Sequence, residues 1–324
     1  MTVLLTGATG FIGSHVAMEL SNKVNCTIIA IVRKINGYKN TDLLSKQNVI
    51  LKPGLFYDKN FLNKIFQDYR IDYVLHLAAL RGGGKGTYKD YHLINVLGTE
   101  YLLECAARHH VRRFIFCSTV GVWGTIPKYV PPDERTPYVG DNFYHQSKIE
   151  AEGRIRYYKQ HGLDIVVVRP TITYGNGDDG FPVTLINLVK TKRFLLLKKK
   201  IKIHLVSVKK LTELFVSLIK KDHINFDFIL GIDRNPITLK SLVDLIYFHF
   251  HGKSYPRYLL LPNFIFFLGI NICKIVQSDK WTTRLKLISN DWYYRSSRLE
   301  QDLNYQPTET EIEFKQYLNT FSRF

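Results

Sequence analysis

A doubly wound α/β fold, a parallel sheet with helices on both faces, is what this 324-residue sequence predicts. Three observations lead there. A glycine-rich turn joins an apolar run to a helical pattern at residues 1–20. Short β-branched runs then alternate with amphipathic segments through the first half. Those runs are apolar at nearly every position, as strands covered on both faces must be.

The elements follow in order. Residues 3–5, 26–32, 73–77, 114–118 and 165–168 read as strands, and 11–20, 61–69, 94–109 and 143–160 as helices. The alternation loosens after Gly175, where strands at 201–208 and 228–232 mix with helices at 211–220 and 239–249. The expected organisation is a dinucleotide-binding domain over residues 1–175 and a smaller C-terminal α/β substrate-binding subdomain over 176–324.

Hydrophobic content of 45% suits a globular chain. The four cysteines are scattered without a paired spacing, which predicts a reduced, cytoplasmic protein with no disulfide framework and no zinc site. The first strand begins at once, so no signal peptide is expected. The net charge of +17 gathers in the second half, notably at 190–202 and at Lys209-Lys210. Solvated surface, an anionic small molecule and an anionic membrane all fit such a balance, and no nucleic-acid motif accompanies it. The apolar stretch 258–276 is broken by Pro262, Asn263, Asn271 and Lys274, too short a clean run for a span of about 20 residues. It reads as a packed helix lining a substrate pocket, with peripheral membrane contact as the alternative.

In the first turn, Gly7 permits the tight reversal, Gly10 lets the backbone approach phosphates, and Gly13 lets the helix pack on the strand. The N–H groups at Phe11, Ile12 and Gly13 then open a helix whose positive end favours a pyrophosphate. An acid ending the second strand would bind the ribose of NAD, whereas Val32 stands there and Arg33 follows. Either NAD or NADP is expected, with Arg33 leaning towards NADP. Asp58 is open between an exposed loop residue and an adenine ligand, and Arg81-Gly82-Gly83-Gly84 reads as a loop over the site.

Tyr144 and Lys148 lie four residues apart on one helix and project from one face. A lysine ammonium so placed lowers a tyrosine pKa, and Tyr144 can exchange a proton with a substrate hydroxyl while hydride moves to or from a nicotinamide. His145 points some 100° away from Tyr144 and is expected on the helix surface. The remaining histidines show no ligand spacing, so no metal is expected.

Thr6-Gly7-Ala8-Thr9-Gly10-Phe11-Ile12-Gly13, with its G-x-x-G-x-x-G spacing, resembles the opening of the extended short-chain dehydrogenase/reductases, the NAD-dependent epimerase/dehydratase family. His76-Leu77-Ala78-Ala79, Asn95-Val96-Leu97-Gly98-Thr99, Ser118-Thr119, Tyr144 to Lys148, Arg169-Pro170 to Gly175 and the segment 299–307 resemble further family motifs. The resemblance implies a Rossmann-type sheet and a homodimer formed through the helices at 94–109 and 143–160. Thr119 would orient the substrate hydroxyl, and Asn95 would be a structural hydrogen-bonder. Leu77, Ala78 and Ala79 would lie against the nicotinamide ribose with Lys148, and Pro170 would border the cofactor.

Two departures narrow the reaction. The family's sugar dehydratases follow the catalytic threonine with Asp-Glu, where this chain has Val120-Gly121. Its galactose-type epimerases carry an asparagine where Ile172 stands. The leading expectation is a nucleotide-sugar epimerase or ketoreductase with an anionic small-molecule substrate, its diphosphate held by the basic second half, Lys198, Lys199 and Lys200 included. A hydroxysteroid-dehydrogenase-like reductase of an apolar or lipid-linked alcohol is the alternative, and a non-catalytic NADP-binding sensor is the alternative of another class.

Overall fold

The computed structural model describes residues 1–34, 49–82, 86–133, 135–222, 224, 227–262, 279–295 and 305–321, with the side chains of 279–282 excepted. The first half alternates as expected: β1 (Thr2–Thr6), α1 (Phe11–Lys23), β2 (Thr27–Val32), β3 (Val49–Pro53), α2 (Lys59–Asp68) and β4 (Tyr73–His76). A short helical turn at Tyr88–Tyr91 runs through a π-helical turn at His92–Leu97 into α3 (Gly98–Arg108). Then come β5 (Arg113–Cys117), α4 (Phe143–Gln160), β6 (Ile165–Pro170), β7 (Ile172–Tyr174) and α5 (Phe181–Lys190). The remainder holds β8 (Leu196–Leu197), β9 (Lys202–Ile203), β10 (Leu205–Ser207), α6 (Val208–Lys220), β11 (Phe228–Gly231), β12 (Ile237–Thr238), α7 (Leu239–His251), β13 (Leu260–Leu261), α8 (Asp279–Ser289) and α9 (Thr310–Leu318).

Seven strands form one sheet in the order β11-β6-β5-β4-β1-β2-β3, every neighbouring pair parallel. The order reverses beside β1, between β2 and β4, which is where open sheets of this kind open a crevice for a ligand. The core follows from the strand composition. All five residues of β5 and all six of β6 are buried, and the two faces of the sheet carry separate apolar clusters.

The second half departs from the expected division. Residues 228–232, expected in the substrate subdomain, supply the edge strand β11, which pairs with β6. Helix α6 buries Leu211, Leu214, Phe215 and Leu218 in the cluster that also takes Val16, Ala17 and Leu20 of α1. The chain therefore returns to the main sheet before finishing the smaller unit. The expected strand at 201–208 is interrupted: β9 pairs with β12 and β10 with β7, His204 standing between them. A third apolar cluster, built from α5, α7, α9 and the short strands, makes the core of the smaller unit. The apolar stretch 258–276 is described only to Pro262; its remainder lies outside the described residues, as do 299–304 of the closing segment. Among the described residues no helix is long and apolar enough to cross a membrane.

Candidate active site

The turn after β1 permits a backbone approach that any side chain would block. Gly7 has φ +78°, and a Cβ there would lie 2.7 Å from Ala78 N. Gly13 is tighter, since its Cβ would stand 2.0 Å from the Gly7 carbonyl oxygen. The α1 N-cap, Gly10, brings no side-chain cap, and no acid lies in the first turn. The N–H groups of Phe11, Ile12 and Gly13 thus open a helix end with no carboxylate of its own first turn to offset the dipole. That cradle fits the pyrophosphate of a dinucleotide.

Beside the cradle, Thr6 links two strand ends: its hydroxyl accepts from Ala78 N at 3.1 Å and meets His76 Nδ1 at 2.7 Å. The other His76 nitrogen meets Thr99 Oγ1 at 2.9 Å, and burial drives its pKa well down. His76 is thus a neutral, satisfied core histidine. Leu77, Ala78 and Ala79 follow β4 half-buried, and Pro170 ends β6 buried on the same side of the sheet. Asn95 has the expected structural role. Its side chain accepts from Leu80 N (2.8 Å) and donates to Leu80 O (3.0 Å) and Ser147 Oγ (2.9 Å), tying that loop to α4. Asp58 caps α2, accepting from Asn60 N and Phe61 N at 2.9 and 3.2 Å. Arg33 is exposed at the end of β2, directly after buried Val32.

The three candidate catalytic residues, Thr119, Tyr144 and Lys148, gather near the carboxyl end of β5. Thr119 caps the short turn Val120–Trp123, its Oγ1 accepting from Gly121 N at 3.0 Å. Tyr144 lies one residue into α4 and borders the same cavity as Thr119. Burial pushes the Tyr144 phenol well above its ordinary range, with Thr119 and the Arg81 guanidinium pulling the other way. Lys148, one turn on, is buried and donates from Nζ to the Cys117 carbonyl at 2.7 Å. Its ammonium also sits 4.3 Å from the Phe116 ring centroid. Burial lowers Lys148 to about 8 against the opposing pull of Cys117 and Glu152. The expected lowering of Tyr144 by Lys148 is therefore not the governing effect here, because desolvation outweighs every charge around the phenol.

Behind these residues lies a buried ion pair. Arg169 forms a two-pronged pair with Glu152 (3.0 and 2.5 Å), and Glu152 Oε1 also accepts from Ser118 Oγ at 2.5 Å. The residue beside Thr119 is thereby joined to the helix that carries Tyr144 and Lys148.

Thr119 and Tyr144 border a cavity of about 1300 Å³. Thr119, Tyr144 and Thr171 line it together with Trp292, Tyr294 and several leucines of the smaller unit. Among the described residues Arg193, Arg284 and Lys286 are the lysine and arginine side chains that line it, whereas Lys198, Lys199 and Lys200, the sequence-based candidates, are exposed and stand outside its wall. His145 also lines it, contrary to the helix-surface expectation. The cavity wraps the N-terminal end of α4, so residues on two neighbouring faces border it. Of the loop at 81–84, Gly83 and Gly84 lie outside the described residues. Gly82 packs over Tyr144, and Arg81 pairs with Asp179 at 3.0 Å. Among the described residues no group of three or more histidine, cysteine or acidic side chains could hold a metal ion.

Comparison with known proteins agrees with this geometry. The chain is 32% identical over 176 residues to the bifunctional protein GAL10 of Kluyveromyces lactis, covering 51% of this chain and 26% of that one. It is 34% identical over 148 residues to a UDP-glucose 4-epimerase of Drosophila melanogaster, covering 42% of each. The match in each case spans less than half of the relative's length. The fold superimposes on the Bordetella bronchiseptica enzyme WbmH, solved with NAD+, with TM-score 0.76 and 21% identity over 99% of this chain and 97% of that one. It also superimposes on the UDP-glucose 4-epimerase of Thermotoga maritima, solved with UDP-glucose, with TM-score 0.74 and 20% identity over 98% of both. Residues 3–210 match the model of the NAD dependent epimerase/dehydratase family. With its glycine cradle, its Thr119–Tyr144–Lys148 grouping and that match over most of its length, the chain belongs to the NAD dependent epimerase/dehydratase family.

Proposed function

We propose that this protein is an NAD(P)-dependent epimerase that oxidises and re-reduces one secondary hydroxyl of a nucleotide-activated sugar. The observation that carries the reading is the shared cavity, in which Thr119 and Tyr144 stand with three cations, Arg193, Arg284 and Lys286. A sugar nucleotide needs both: a proton-transfer pair for its hydroxyl, and positive charge for its diphosphate. When bound, the dinucleotide supplies the hydride acceptor and donor. In the oxidation Tyr144 must act as the phenolate, taking the hydroxyl proton as hydride leaves for the dinucleotide, and in the re-reduction it returns that proton to the ketone oxygen. Burial favours the phenol, so that form is the resting one and loses its proton before the first step. Thr119, which borders the same cavity, steadies the ketone oxygen. Lys148 is placed to hold ribose hydroxyls from its seat beside the Cys117 carbonyl. Val120 and Gly121 bring no proton-transferring side chain next to Thr119, which favours epimerisation or ketone reduction over water elimination.

Arg33 at the end of β2 supports NADP, and the absence of an acid at Val32 agrees with it. The relatives solved with NAD favour the other choice. Denaturing the purified protein and weighing the released nucleotide decides between them. UDP-glucose and UDP-galactose are then offered to wild type and to Tyr144→Phe. Interconversion by wild type, reduced about 10²–10⁴-fold in the variant, is expected. A wild type that binds neither dinucleotide nor UDP-sugar would overturn the reading. The apolar wall of the cavity, which includes Leu185, Phe194, Leu195 and Leu261, supports a second reading, a reductase of an apolar alcohol. Arg193→Ala and Lys286→Ala separate the two, since only a diphosphate substrate would register their loss as a raised KM.

A further inference from the structure

His145 is held as an active-site group. Its Nδ1 lies 2.5 Å from Asp141 Oδ1, and the second Asp141 oxygen accepts from Thr125 N at 2.9 Å. Burial alone would raise the Asp141 carboxyl, but the hydrogen bonds from His145 and Thr125 outweigh it and bring it down to about 2. The Asn142 amide donates to the same Asp141 oxygen at 3.1 Å, and Asn142 Oδ1 accepts from His145 N at 2.9 Å. Asn142 Nδ2 also lies 2.9 Å from Nδ1, but the Asp141 carboxylate is the nearer partner at 2.5 Å and only accepts. Nδ1 therefore carries a hydrogen, and in the neutral ring the lone pair is on Nε2.

The Nε2 edge of the ring lies over Gly121. A Cβ on Gly121 would fall 2.3 Å from Nε2 and 2.4 Å from Cδ2, so glycine at this position makes room for the imidazole. Gly121 donates its N–H to Thr119, and the His145 and Tyr144 ring centroids are 5.8 Å apart. Thr119, Gly121, Asp141, Tyr144 and His145 all line the same cavity. A hydrogen-bond acceptor thus stands beside the proton-transfer pair, its ring 5.8 Å from that of Tyr144 and bordering the same cavity, where a group neighbouring the one that Tyr144 handles would meet it. Neither the proton transfer at Tyr144 nor the seating of a diphosphate uses it.

We propose that His145, positioned by Asp141, accepts a hydrogen bond from the hydroxyl next to the one that Tyr144 handles, so that the substrate is a vicinal diol. The proposal rests on the epimerase reading for its substrate, and its own geometry is tested separately. Long-range proton–nitrogen spectra of the full chain, loaded with NAD+ and labelled in its histidine rings, read the tautomer directly. Hydrogen on Nδ1, a bare Nε2, and a shift of Nε2 on adding UDP-glucose are expected. Hydrogen on Nε2 instead, or a ring that does not respond while UDP-glucose binds, overturns the proposal.

Turnover gives the second readout. His145→Phe should lose roughly tenfold in kcat/KM on UDP-glucose and nothing further on its 3-deoxy analogue, because the lost bond is the one the analogue lacks. Gly121→Ala, which displaces the ring without altering it, should reproduce that pattern. Equal loss on both substrates would show a merely structural histidine and sink the proposal. Should wild type ignore UDP-glucose altogether, the nucleotide-sugar reading falls, and cis-1,2-cyclohexanediol against cyclohexanol becomes the probe pair. The tautomer decides the dyad in either case.

Discussion

Removing the charge of Glu152 while keeping its shape should unfold this protein at a markedly lower temperature. Glu152 and Arg169 have side chains only 4% and 2% exposed, and their closest contact is 2.5 Å. The guanidinium is enclosed by aromatic rings, with Phe228 3.9 Å, Trp123 4.8 Å and Tyr138 5.1 Å from its carbon. Among the described residues its Nη1 has no hydrogen-bond partner, so Glu152 and the Tyr138 hydroxyl supply its hydrogen bonds and Glu152 its counter-charge. In Glu152→Gln the arginine stays charged and loses its counter-ion, which costs about 3–5 kcal/mol. A chain of this size has an unfolding entropy that converts this into a Tm drop of roughly 4–7 °C. Scanning calorimetry on wild type and variant measures it. A second variant checks the cause: Glu152→Leu combined with Arg169→Met removes both charges and should recover most of the loss. A Glu152→Gln protein melting within about 1 °C of wild type would refute the reasoning, as would a double variant no better than the single one. Activity should fall with stability, because Ser118 then loses the carboxylate oxygen that fixes it beside Thr119.

Three other outcomes follow from the same structure. Asp233 accepts from Ser207 N, Thr310 and Tyr174, yet burial dominates and raises it to about 7. The fold therefore favours its protonated form, and stability declines as pH rises from about 4 through 7. The difference in Tm between wild type and Asp233→Asn should grow in favour of the variant across that window, and a flat difference would count against it. Gly13→Ala places a methyl 2.0 Å from the Gly7 oxygen and should weaken dinucleotide binding at least tenfold by fluorescence titration. Arg81→Ala breaks a pair whose side chains are 68% and 67% exposed, so Tm should stay within about 1 °C of wild type.

What the sequence determined by itself was local. The strand, the glycine turn it feeds and the start of the helix that leaves it fall within the first thirteen residues. Tyr144 and Lys148 share a face because the helix repeat makes any i, i+4 pair do so. The Asn95 motif and the Arg169–Gly175 segment were legible through resemblance alone, their chemistry being carried by partners far along the chain.

Tertiary structure decided whatever depends on those partners. Thr6 reaches across to Ala78, Arg81 to Asp179 and Glu152 to Arg169, and no periodicity encodes such meetings. Residues 228–231 read as an ordinary strand, and nothing local says that they pair with β6 and not with the short strands around them. Lysines at 198–200 drew attention by their density, whereas the cations that line the cavity, Arg193, Arg284 and Lys286, are spaced along the chain without a pattern. His145 is the sharpest instance. The angular rule that set it apart from Tyr144 is sound for a helix lying flat on a sheet. It fails where a cavity closes around a helix end, because two neighbouring faces then look into the same space.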